Sequence, residues 1–161
     1  AGNPKPRLFR LPQDFALINR MGFNNEGMER IYTRLLKEKP QGLVLGVNIG
    51  KNKNTANEHA ISDYELCYKT FYSVADYIVV NVSSPNTPNL RALQDREHLS
   101  ALMQALNVLA KQLNSSTPLL LKIAPDLNTS QLDDIVDLID IDAKNNQRSR
   151  TAQIIYIIKQ I

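Results

Sequence analysis

Three stretches decide the fold: Leu43 to Gly50 (LVLGVNIG), Tyr77 to Ser84 (YIVVNVSS) and Pro118 to Asp126 (PLLLKIAPD). Each is a short run rich in Val, Ile or Leu without strict alternation. Strands of a parallel sheet, buried on both faces, have this composition. Each run ends in polar or turn residues: Lys51 and Asn52, Ser83 to Asn86, and Pro125 with Asp126.

Helical patterns lie around and between the runs. Asn57–Tyr72 carries Tyr64, Leu66 and Cys67 near a 3.6-residue period, with Glu58, Asp63 and Glu65 early. Glu97–Leu113 carries Leu99, Leu102, Met103, Leu106, Leu109 and Ala110 as an apolar stripe. Glu26–Glu38 places Met28, Ile31, Leu35 and Leu36 similarly. Asn128–Ile139 opens on a capping residue and sets Leu132, Ile135, Val136 and Ile139 on one face. The order is helix, strand, helix, strand, helix, strand, helix. The intervals between Asn48, Asn81 and Lys122 suit successive strand–helix units of about 30 or more residues. Right-handed crossovers make such strands parallel. Ligands of such sheets sit beyond the carboxyl ends of the strands. Asn48, Asn81, Ser84 and Lys122 are therefore expected on one face.

The chain has 161 residues, 43% hydrophobic and 22% charged. These values exclude a disordered chain, a collagen and a disulfide scaffold. A net charge of +3 with scattered Lys and Arg gives no basic face for nucleic acid. The one cysteine, Cys67, has no partner within the chain for a disulfide, fits a reducing compartment, and is expected on a helix face in the core. No apolar run reaches the roughly 18 residues of a membrane span. Nor does a charged start followed by an apolar stretch mark a signal peptide. Residues 1–12, AGNPKPRLFRLP, begin abruptly, as the interior of a longer chain does. From Ala143 the sequence turns polar (AKNNQRSR), and 151–161 resemble an amphipathic helix.

The chemistry concentrates in Asn81-Val-Ser-Ser-Pro-Asn-Thr-Pro88. Amides and hydroxyls at a strand end can hold a planar, polar ring. The bland alternative is a plain turn, because Ser, Asn and Pro are turn residues. No histidine lies close in sequence to activate a serine, and the Gly-x-Ser-x-Gly elbow is absent. Lys122 stands inside an apolar run, where burial is costly unless the charge is paired or used. It is either an edge residue reaching solvent or a cation facing an anionic cofactor ring. Gly42, Gly46 and Gly50 do not form the dinucleotide fingerprint. His59 and His98 suit solvated helix positions, and no residue spacing suggests a metal site.

Four motifs occur in order: Asn19-Arg-Met-Gly-Phe-Asn-Asn25, Val47-Asn-Ile-Gly-Lys-Asn52, Asn81 to Pro88, and Lys122-Ile-Ala-Pro-Asp126. With Gly2 to Leu11 (GNPKPRLFRL), they resemble dihydroorotate dehydrogenase across about residues 2–141. The serine at 84, where class 1 enzymes carry cysteine, resembles class 2, the membrane-associated enzymes that pass electrons to quinone. The resemblance implies an α/β fold, an FMN-binding (β/α)8 TIM barrel that is only partly represented here. A whole barrel needs about 250 residues. Residues 1–161 would form the central part of one barrel domain, with a chain discontinuity expected near 142–143. Further flavin-contacting segments of the family have no counterpart in this sequence.

The implied reaction is oxidation of dihydroorotate to orotate in pyrimidine biosynthesis. Ser84 would take the proton from C5 while a hydride passes from C6 to N5 of FMN. Thr87 and Phe23 would shape the relay that Ser84 needs. Asn19, Arg20, Met21, Gly22, Phe23, Asn81 and Asn86 would bind the substrate. Asn48, Asn81 and Lys122 would contact FMN, with Lys122 on the N1 side of the ring. Pro88 to Arg91 matches a mobile lid, with Asn89 where glycine is frequent. The implied partners are dihydroorotate or orotate and a quinone, with no nucleic acid. Membrane attachment would be peripheral, on the cytoplasmic side of a bacterial inner membrane, through an element outside this sequence. Two alternatives stay open: a class 1-like enzyme using fumarate or NAD, and a barrel fragment that holds no flavin.

Overall fold

The computed structural model describes residues 2–37, 39–84 and 89–145. Asn86 and Thr87, Pro88 at the start of the expected lid, and the helix expected over 151–161 lie outside them. The chain divides into two compact units, Ala1–Lys39 and Pro40–Ile161.

The first unit is built on a hairpin that the sequence reading above does not contain. Strands β1 (Leu8–Leu11) and β2 (Ala16–Asn19) pair antiparallel, Leu8 opposite Asn19 and Leu11 opposite Ala16. Pro12 starts a short 3-10 turn over Pro12–Asp14, where its fixed φ is already the required one. Phe15 then takes the left-handed conformation (φ 48°) and returns the chain. Pairing continues past the strands: Arg20 N–H donates to the Arg7 carbonyl at 2.9 Å and Asn3 N–H to the Met21 carbonyl at 3.0 Å. Helix α1 (Met28–Leu35) is shorter than the predicted 26–38. Gly27 at φ 92° holds the bend before it, and the Asn25 side chain accepts the Gly27 N–H at 2.8 Å.

The second unit carries the three expected strands. β3 (Gly46–Ile49), β4 (Tyr77–Asn81) and β5 (Leu119–Lys122) form one parallel sheet in the order β3-β4-β5. Helices α2 (Ala60–Phe71) and α3 (Arg96–Gln112) are the crossovers, and α4 (Thr129–Asn145) follows β5. This is an α/β unit of alternating strands and helices. Asn128 and Gln131 cap α4 reciprocally. The Asn128 Oδ1 accepts the Gln131 N–H at 2.9 Å, and Gln131 Oε1 accepts the Asn128 N–H at 3.0 Å.

The core lies on one side of the sheet. Ile49, Ile78, Val80, Val82, Leu121 and Ile123 are buried there, with Tyr64, Tyr68 and Phe71 of α2 and Leu99, Leu102, Leu106 and Leu109 of α3. Three expected core positions of this unit are corrected. On α2 the buried residues are Ala60, Tyr64, Tyr68 and Phe71, and at about 100° per residue this phase turns Leu66 outward. On α4 Ile135 is buried, so Val136 beside it is exposed. Cys67 is half-buried rather than a core residue.

The other face of the sheet follows from strand alternation. Asn48, Val79 and Leu120 share one register row, and Asn81 pairs with Lys122 two positions further on. At its start, Gly46 lies opposite Tyr77, and a Cβ on Gly46 would run into the Tyr77 ring.

Leu106 is fully buried, so Leu106→Ala is expected to destabilise the fold by about 2–5 kcal/mol in urea unfolding. A loss well under about 1 kcal/mol would remove the α3 stripe from the core.

Candidate functional site

The site forms where β4 and β5 end. Asn81, Ser83 and Ser84 are buried, and Lys122 is half-buried. Lys122 Nζ donates to Ser83 Oγ at 2.7 Å, and Ser83 Oγ donates to Asn81 Oδ1 at 2.8 Å. The Ser83 N–H donates to the same oxygen at 3.1 Å. A lysine directly after three leucines thus finds its partner just past the end of the neighbouring strand. Each donor in this series polarises the next.

The backbone of β4 is fixed from below. Tyr64 OH donates to the Asn81 carbonyl at 2.9 Å, in a buried position. Burial pushes the Tyr64 phenol well above its ordinary pKa, against a hydrogen bond from the Lys51 backbone that lowers it. Tyr64 is therefore a fixed proton donor to the strand. After β3, Lys51 is itself buried, and its Nζ donates to the carbonyls of Thr55 at 2.5 Å and Asn52 at 3.3 Å. The Asn52 N–H donates to Asp63 of α2 at 2.8 Å. These bonds hold the loop that follows the first strand of the sheet.

The structure brings Asn81 and Lys122 into one bonded series, with Ser83 between them. Ser84 is the next residue and is buried at the same strand end. Asn48 is exposed, on the edge strand, on the same sheet face as Asn81 and Lys122. Asn19 to Phe23 belong to the first unit. There Asn19 ends β2, and Arg20 Nε donates to the Pro6 carbonyl at 3.0 Å. The Arg20 carbonyl accepts Asn3 Nδ2 at 2.8 Å. Gly22 and Phe23 both take positive φ, 66° and 52°. A Cβ on Gly22 would meet the Asn3 side chain at 2.8 Å.

Sequence reasoning placed the chemistry of the double serine on Ser84 and missed Ser83, the residue that carries the Lys122 contact. It also passed over Lys51. Lys122 stands out because apolar residues flank it on both sides, whereas Lys51, between Gly50 and Asn52, carries no such mark. Tyr64 carries no sequence mark distinguishing it from an ordinary core aromatic. His59 and His98 are exposed. Among the described residues no cluster of His, Cys, Asp and Glu is arranged to hold a metal ion.

Chemically, the face has Asn48, Val79 and Leu120 in one row, with the Asn81 amide and the Lys122 ammonium side by side at its end. That donor set fits a flat heterocycle with an electron-rich, polar edge, as a flavin ring has.

The family model for dihydroorotate dehydrogenase matches residues 1–155. The chain is 53% identical over 138 residues to "Dihydroorotate dehydrogenase (quinone)" of Christiangramia forsetii, covering 86% of this chain and 40% of that protein. It is 54% identical over 142 residues to the protein of the same name from Rhodospirillum rubrum, covering 86% and 37%. The chain thus spans about two fifths of the length of these curated relatives. A crystal structure of DHODH from Eimeria tenella in complex with ferulenol matches with TM-score 0.75 at 39% identity, covering 91% of this chain and 44% of that one.

Cys67 gives a test of the site's surroundings. Burial, then the nearby Asp63 carboxylate, pushes its thiol above the ordinary range. A raised thiol pKa means less thiolate at any given pH. Alkylation of Cys67 by iodoacetamide at pH 8 should be slower than that of a free cysteine and should accelerate in denaturant. Labelling of the native protein at the rate of free cysteine would contradict this placement.

Proposed function

The chain belongs to the dihydroorotate dehydrogenase family, and on that premise we propose that the whole protein oxidises dihydroorotate to orotate and passes the electrons to a quinone. The observation that carries this reading is the Lys122–Ser83–Asn81 series at the carboxyl ends of adjacent parallel strands. Both curated relatives described above bear the quinone-dependent name, which favours quinone over fumarate or NAD.

In this reading the three parallel strands are a section of a (β/α)8 barrel, and residues 1–161 form the central part of that single domain. FMN, when bound, supplies the two-electron acceptor for the hydrogen at C6. Asn48, Asn81 and Lys122 would hold it, the ammonium favouring the electron-rich ring. Ser84 removes the proton from C5. A serine hydroxyl is a weak base at its free pKa, so its proton must move on. Thr87 and Phe23 are assigned to that relay by family resemblance. Asn19, Arg20, Met21, Gly22, Phe23, Asn81 and Asn86 are assigned to the substrate on the same ground. Amides suit both the carboxylate and the ring's own amide edges, since each offers a donor and an acceptor.

Among the described residues no helix is long and apolar enough to cross a membrane. We place the whole protein peripherally on the cytoplasmic face of a bacterial inner membrane, attached through a segment outside these residues.

Three measurements on the full-length protein test the reading. It should be yellow, with flavin absorbance; a colourless folded protein would favour a fragment that holds no flavin. Dihydroorotate oxidation should couple to a quinone analogue and not to fumarate or NAD, and the reverse preference would favour a class 1-like enzyme. Ser84→Ala should lower turnover at neutral pH by at least on the order of 10²-fold while flavin stays bound. Near-full activity in that variant would take the base role away from Ser84.

A further inference from the structure

The ladder between β4 and β5 stops in an unusual way. Ile78 N–H donates to the Pro118 carbonyl at 2.9 Å, and Val82 N–H donates to the Lys122 carbonyl at 3.2 Å. In a parallel pair the next bond of this series runs from the Ala124 N–H to the Val82 carbonyl. The Ala124 N–H goes instead to Gln94 Oε1, at 2.7 Å. Gln94 is 6% exposed and closes a 3-10 turn over Leu90–Gln94. Its Nε2 donates to the Arg91 carbonyl at 3.3 Å, so both ends of the carboxamide are engaged. Arg91 in turn leans Nε on the Ser83 carbonyl at 3.4 Å and pairs with Asp126 at 2.8 Å.

These contacts close a ring. It runs from Ser83 through Lys122 to Ala124, from Ala124 to Gln94, and through Arg91 back to Ser83. Its members come from the ends of both strands and from the turn before α3. We propose that Gln94 is a positioning residue: its buried carboxamide replaces a ladder bond, ends the pairing of β4 with β5, and sets the gap in which Lys122 reaches Ser83. The Ser83 carbonyl that Arg91 grips belongs to the peptide bond leading into Ser84. A shift of this ring therefore moves Ser84 and Lys122 together. The kinetic consequence rests on the function proposed above; the geometric one does not.

The test uses the full-length protein purified with its flavin, and the variants Gln94→Met and Gln94→Glu. Methionine keeps the length and lacks the acceptor oxygen; glutamate keeps the oxygen. With Gln94→Met, anaerobic bleaching of the flavin by dihydroorotate should slow about tenfold or more, with affinity for dihydroorotate within about threefold. The Ala124 amide should exchange with deuterium about tenfold faster. With Gln94→Glu, Ala124 should stay protected and bleaching should stay within about fivefold of wild type. Wild-type bleaching in Gln94→Met overturns the proposal. So does equal slowing in both variants with Ala124 protected in both. If Gln94→Met does not fold, Gln94→Asn, too short to reach Ala124, should show the same slowing and faster exchange, and an unchanged rate overturns the proposal. If dihydroorotate does not bleach the wild-type protein, the proposed function fails. Ala124 exchange then still judges the geometry, and unchanged exchange in Gln94→Met overturns it.

Discussion

The arrangement of the second unit depends on where a half-buried lysine can put its charge. Lys122 ends a strand whose neighbours on both sides are apolar, and an unpaired ammonium there would be costly. The parallel register sets Asn81 directly across from it. Ser83, two residues on, supplies the oxygen. One contact thus couples strand register, burial and polarity. A slip of one residue between β4 and β5 would turn Lys122 into the packed face beneath α2 and α3. The cation therefore enforces the register as much as the register orients the cation.

The fold of this unit was legible because its signal is local and repeated. Runs such as YIVVNV are short, apolar and bounded by turn residues, and each alternates with a stripe such as Leu99, Leu102, Leu106 and Leu109. Periodicity gave the right elements even where it misjudged a face. Leu66 was misjudged because two aromatic residues, Tyr64 and Tyr68, set the phase of α2. Aromatic area outweighs one leucine in deciding which side packs. The hairpin Leu8–Asn19 was not legible. Its strands have four residues each, and its turn uses Pro12 and a left-handed Phe15 rather than an Asn-Gly pair. Nothing in a single sequence announces that Phe15 accepts a positive φ.

The candidate site was legible to the level of the strand end and no finer. Parallel-sheet logic placed Asn48, Asn81, Ser84 and Lys122 on one face; the register sets Asn48, Asn81 and Lys122 there, while Ser84 lies past the end of β4. Which of two adjacent serines meets the lysine depends on the direction the chain takes after Asn81. Sequence does not carry that direction. Gln94 and Lys51 escaped for a related reason. Their partners are backbone groups of Ala124, Arg91, Asn52 and Thr55, and backbone partners leave no trace in residue identity.

Gly46 and Tyr77 carry a different lesson. The tyrosine ring covers the place where a side chain at 46 would begin. The bare edge-strand glycine is thereby shielded by its cross-strand neighbour. The two positions consequently form one steric unit: residue 46 can acquire a side chain only if residue 77 gives up its ring or swings it away. A side chain at 46 alone has no room, whereas a paired exchange, small for large and large for small, keeps the same filled volume.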